Sequence, residues 1–115
     1  MTQREQASDD AIRAAQNELV LRDLNERLRL QPASRSRRLW EWVCECADIT
    51  CMKAIALSIE EYDAVRAATT RFAVAPEAEH VNLDIERVVQ REDRYWVVEK
   101  IGVGAAISET FDPRS

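Results

Sequence analysis

Hydrophobic and polar positions change their period several times along the 115 residues, and each change marks an element. Ser8-Asp9-Asp10 offers a side-chain cap and two acids suited to the positive end of a helix dipole, so a helix is expected to start there. Ile12, Ala15 and Leu19 follow at helical spacing. Val20, Leu24 and Leu28 carry a slightly rotated stripe to about Leu30, with Pro32 beyond. Residues 1–7 precede this pattern and are read as a disordered N-terminal segment. Asp23 and Glu26 break a strict heptad, so the helix is expected to pack on its own domain or dock on a partner rather than form a coiled coil.

Residues 31–38 carry no periodicity and read as an Arg-rich linker. The pattern therefore divides the chain into a helix with linker over 8–38 and a domain over 39–115. In residues 39–46, Trp40, Trp42, Cys44 and Cys46 alternate with Glu41 and Glu45, the mark of a strand with one inward face. A turn at 47–50 and a short strand at 55–57 follow. Ser58 and Glu61 then form a capping box, with Leu57 and Tyr62 at the staple positions and Ile59, Tyr62 and Val65 along an apolar edge. Residues 72–75 read as a third strand closed by Pro76. Residues 83–90 and 95–101 read as a hairpin around 91–94, and Gly102 and Gly104 as a strand end before a weakly helical 105–108. The order is helix, strand, strand, helix, strand, strand, strand. It predicts an α+β fold: an N-terminal helix, a small mixed or antiparallel sheet with one packed helix, and a C-terminal β-hairpin.

Composition narrows the function classes. With 46% hydrophobic and 32% charged residues and only two glycines, the chain reads as a domain able to build a core without staples. Apolar runs fall short of the roughly 18 positions of a bilayer span. The polar, acidic N-terminus lacks the basic-then-apolar order of a secretory signal, so a cytoplasmic location without membrane insertion is expected. The net charge of −5 is unevenly spread: residues 1–38 hold eight Arg against six acids, and residues 39–115 hold eight basic side chains against fifteen acids. The acidic second segment argues against nucleic acid as a partner. Arg22, Arg27, Arg29, Arg35, Arg37 and Arg38 are the candidates for phosphate contact, but Asp23–Arg27 and Glu26–Arg29 spacings account for them as a salt-bridged, solvated face.

Three cysteines cannot all pair within one chain. Cys44, Cys46 and Cys51 fall in a CxCxxxxC pattern, and the single histidine, His80, is the remaining soft donor. Together they match the four N and S donors of a closed structural zinc site, provided the strand bends or ends near Glu45 so that the sulfurs converge. Two other readings fit the same residues. Cys44 and Cys46 can continue the inward face begun by Trp40 and Trp42 as inert core thiols, or the three can form a redox-active cluster. Glu45 and Asp48 are expected to face solvent or to stand behind the ligands.

The combination of Cys44-Glu45-Cys46, Cys51, Phe72-Ala73-Val74-Ala75-Pro76 and His80 resembles a group of short bacterial proteins that pair such a cysteine cluster with Phe-x-Val-x-Pro and a nearby His. The likeness extends to Asn25-Glu26-Arg27, Tyr62, Val65-Arg66, Glu86-Arg87-Val88-Val89, Val97-Val98-Glu99-Lys100 and Asp112-Pro113-Arg114. In the group the His follows the Pro almost directly, whereas here Glu77-Ala78-Glu79 intervene. The resemblance implies a shared domain and no particular reaction, and the joint recurrence of the three Cys and the His in the group favours the zinc reading.

Catalytic alternatives find few residues. No glycine-rich phosphate loop is present, and one His leaves no spare base for a Ser or Cys triad. The expectation is a structural Zn2+ held by Cys44, Cys46, Cys51 and His80 in a protein-interaction or regulatory module. A protein partner or second copy would meet the N-terminal helix. The alternatives are a thiol redox sensor on the same cysteines, and a metal-dependent enzyme in which three thiolates hold zinc and His80 serves as base.

Overall fold

The structure, a computed structural model, describes residues 3–31 and 38–114, with side chains from residue 9 onward. Its first element, α1, runs from Gln3 to Arg29. The helix thus begins ahead of Ser8: Gln3-Arg4-Glu5-Gln6-Ala7 are all strong helix formers, and their propensity carries the helix through the position where a cap was expected. Residues 3–7, expected to be disordered, are helical backbone, and residues 1 and 2 lie outside the described residues. So do residues 32–37, most of the expected linker.

Two antiparallel sheets follow. Strands β1 (Trp40–Val43) and β2 (Ala54–Leu57) pair with Trp42 opposite Ile55. Helix α2 (Ile59–Arg66) then leads to β3 (Arg71–Val74). One turn of 3-10 helix at Ala78–His80 precedes β4 (Glu86–Arg91) and β5 (Trp96–Lys100), and α3 (Gly102–Thr110) closes the chain. In the second sheet β5 is central, with β3 and β4 on either side. Its β4–β5 pair is the expected hairpin, with a register shift between Val88 and Gln90. The fold is α+β.

Local chemistry explains most boundaries. The Ser58 hydroxyl accepts from the Glu61 amide at 3.0 Å while the Glu61 carboxylate accepts from the Ser58 amide at 2.9 Å, the reciprocal capping box that starts α2. Gly102 has φ +56°, which lets the chain leave β5 and enter α3 directly, so the pair of glycines opens a helix rather than ending a strand. A Cβ on Gly104 would stand 3.3 Å from the Ile85 carbonyl oxygen, so the small residue allows α3 to close on the sheet.

The core gathers Trp42, Ile55, Leu57, Tyr62, Phe72, Val74, Val97 and Val98 from both sheets and α2. The Trp42 and Tyr62 rings stack at 4.2 Å. The face that α1 buries departs from the apolar stripe read from its pattern. Ala14, Ala15, Glu18, Leu21, Arg22 and Asn25 are buried, whereas Val20 is 52% exposed. Three of these six are polar, and each finds a partner in the body of the fold. Lys100 bridges Glu18 and Glu86 with all three side chains fully buried. Arg22 donates to the carbonyls of Thr69 at 2.8 Å and Ser108 at 3.3 Å. Beside them Arg66 joins Glu26 and Asp112. Helix α1 is therefore part of the same packed body as residues 39–114, not a separate segment before it. Glu26 and Arg29, expected to pair along the helix, reach across to Arg66, Arg114 and Asp63. Among the described residues no helix is long and apolar enough to cross a membrane.

Candidate metal centre

The strand β1 ends at Val43, just before the first cysteine, as convergence of Cys44 and Cys46 requires. From there the backbone leaves β2 and crosses to the second sheet: the Cys44 amide donates to the Lys53 carbonyl, and the Glu45 amide to the Ala73 carbonyl, both at 2.8 Å. This crossing directs Cys44 and Cys46 toward the segment that follows β3. Cys51 returns from the turn at 47–50, next to Met52, whose φ of 47° is left-handed for a non-glycine residue. The 3-10 turn after Pro76 delivers His80.

These four side chains meet. One donor atom from each of Cys44, Cys46, Cys51 and His80 lies within 4.8 Å of all the others, so the group can hold a metal ion. His80 Nδ1 stands 3.7 Å from Cys44 Sγ and 3.5 Å from Cys51 Sγ. Bonds of about 2.3 Å to sulfur and 2.0–2.1 Å to nitrogen in a tetrahedron give an S···N edge of about 3.6 Å, and these two separations bracket it. The Ala75 amide donates to Cys44 Sγ at 3.2 Å, a contact that favours the thiolate. Cys44 and Cys46 are buried, Cys51 and His80 half-buried, and none of the cysteines is in a disulfide.

The sulfurs are electrostatically unequal. The hydrogen bond with Cys44 holds the Cys46 thiol down at about 5, and the same bond, with burial, pushes Cys44 far above the usual thiol range. Burial also raises Cys51. Were all three ionised, thiolates this close would repel one another, and a divalent cation would supply the counter-charge. An open cleft of about 620 Å³ reaches the cluster, lined by Cys46, Asp48, Cys51 and His80 and by Asn82 and Leu83 opposite. Asp48 faces solvent as expected, its carboxylate accepting from the Thr50 amide at 2.9 Å. Glu77 and Glu79 also lie near His80, but both belong to the surface, where Lys53 pairs with Glu77.

Glu45 is different. Alternation put it on an outer face with Glu41, yet it is fully buried. Its carboxylate accepts from the Tyr62 hydroxyl at 2.7 Å, Asn25 Nδ2 at 3.0 Å and the Ala73 amide at 2.9 Å. Burial raises its pKa, and these three donors oppose the rise. Strand alternation could not reveal this, because β1 ends at Val43 and Glu45 lies beyond it, where Asn25 of α1, Tyr62 of α2 and Ala73 of β3 close around its carboxylate, whereas Glu41 stays exposed. In sequence Asn25 stood out only through the resemblance and Tyr62 only as an apolar staple, and of the two expectations for Glu45, facing solvent or standing behind the ligands, the structure shows a buried side chain.

No family model matches the chain, and no curated protein or solved structure matches it. The functional reading rests on its own residues.

Proposed function

We propose that the protein is a small cytoplasmic domain whose Cys44, Cys46, Cys51 and His80 hold a structural Zn2+, and that it serves as a protein-interaction or regulatory module. The observation that carries this reading is the convergence of three sulfurs and one imidazole nitrogen within 4.8 Å of one another, with the Cys44–His80 and Cys51–His80 separations near a tetrahedral S···N edge. The position of His80 among the sulfurs favours a ligand over a base beside an open coordination position. Four protein donors complete the tetrahedron, which suits a structural ion rather than a catalytic one. The ion would tie the end of β1 to the loop after β3 across about 30 residues, whose chain entropy otherwise opposes order. The inner face of α1 is taken by its own chain, so a partner would meet the outer face of that helix.

X-ray absorption at the zinc edge tests the ligand set. Three sulfurs at about 2.3 Å and one nitrogen at about 2.0 Å are expected, and a shell of oxygens would contradict the assignment. His80→Ala should release the ion and lower the melting temperature, whereas a variant that keeps full zinc and stability would make His80 something other than a ligand.

The cleft supports a second reading, in which the same thiols sense an oxidant. A hydroperoxide reaching Cys51 would take two electrons from a pair of thiolates and two protons from solvent, giving a disulfide, an alcohol and water, and the loss of two sulfur donors would release the ion. Peroxide titration with a zinc indicator would then release zinc as thiols disappear. Thiol loss without zinc release would contradict it.

A further inference from the structure

We propose that Glu45 is the positioning residue of this centre, setting the two sulfurs that flank it against β3; the inference rests on the metal reading above. Glu45 grips one residue of β3 twice, since its amide donates to the Ala73 carbonyl at 2.8 Å and its carboxylate accepts from the Ala73 amide at 2.9 Å. Two residues further along, the Ala75 amide donates to Cys44 Sγ. The carboxylate thereby fixes the register that aims this amide at the sulfur. Its other oxygen is held by Tyr62 of α2 and Asn25 of α1, and Asn25 also braces the approach to the cysteines, donating to the Val43 carbonyl at 2.8 Å and accepting from the Val43 amide at 2.9 Å. The Cys44-Glu45-Cys46 turn is thus clamped from three elements through one side chain.

A carboxylate is required because all three contacts are donors aimed at acceptor oxygens. In Glu45→Gln the amide can still accept from Ala73, but its NH2 faces the NH2 of Asn25, and the clamp opens on that side. Partners behind metal ligands typically govern affinity by about 10- to 100-fold. A residue that merely stabilised the fold would lower stability without selectively affecting the metal.

The test measures Zn2+ affinity by competition with a chromophoric chelator, and the Co2+ absorption spectrum, for wild type, Glu45→Gln and Asp112→Asn. Asp112 is a buried carboxylate whose side chain meets Arg66 and the Arg114 amide, away from the sulfurs. Glu45→Gln is expected to weaken Zn2+ binding about 10- to 100-fold and to shift the sulfur-to-Co2+ bands. Asp112→Asn should leave affinity and bands at wild-type values even if its melting temperature falls. Should Glu45→Gln not fold, Tyr62→Phe keeps the stacked ring, removes one donor, and is expected to weaken binding in the same direction. Wild-type affinity and spectrum in Glu45→Gln, or equal losses in Glu45→Gln and Asp112→Asn, would overturn the role of Glu45 while leaving the metal site standing. A wild-type protein that binds neither ion would overturn both.

Discussion

Lys100 places one ammonium between two carboxylates, Glu18 of α1 and Glu86 of β4, with all three side chains out of solvent. Burial is the main force raising Glu18, and the Lys100 charge opposes it. Removing the cation should therefore cost more than removing a surface charge. Lys100→Met is expected to lower unfolding free energy by about 3–5 kcal/mol in a urea titration, and a loss under about 1 kcal/mol would contradict a paired, buried ammonium. Glu61 shows the opposite case at a partly exposed position. The hydrogen bond from Arg94 holds its carboxyl down at about 2, below the roughly 4.3 of an unfolded chain. Its contribution is thus present above about pH 4.3 and is lost as pH falls toward 2. The stability difference between wild type and Glu61→Gln, which preserves the capping box, should shrink across that window; a constant difference would contradict the shift. At this scale the four candidate ligands were legible, because sulfur and imidazole are scarce in the chain and chemically distinctive. Glu45 was legible only as one of two alternatives, behind the ligands or in solvent, because nothing in its neighbours announces that acceptor oxygens are wanted inside.

The elements were legible where local rules dominate. The Ser58 to Glu61 box, the alternation through Trp42 and the hairpin around residues 91–94 are short-range signals, and each appears in the fold. Helix α1 was legible as a helix, but its inward face was not. Hydropathy ranks Glu18, Arg22 and Asn25 as solvent-facing, and only partners far along the chain, such as Lys100, Ser108 and Val43, reverse that ranking. These polar contacts also tie α1 to the candidate metal centre through Asn25 and Glu45. Chelation of the zinc-loaded protein should accordingly speed amide hydrogen exchange at residues 43–53 and 73–80, and to a lesser degree near Asn25. Unchanged exchange in all three segments would contradict a metal that orders the cysteine-bearing segment.

For the whole molecule, 115 residues suffice for a core, and the apolar cluster around Trp42, Phe72 and Val98 provides one. Cys44 and Cys46 belong to that core and Cys51 and His80 lie at its half-buried edge, so a metal there would join the segment after β1 to the 3-10 turn after β3. On the metal reading proposed above, the odd number of thiols would be a donor count completed by His80. The most direct test is the zinc content of the full chain purified in reductant and freed of adventitious metal, measured by elemental mass spectrometry. About one zinc per chain, retained through dialysis and lost on acidification, is predicted. Less than about a tenth of an equivalent, with no uptake of added Zn2+, would contradict the account.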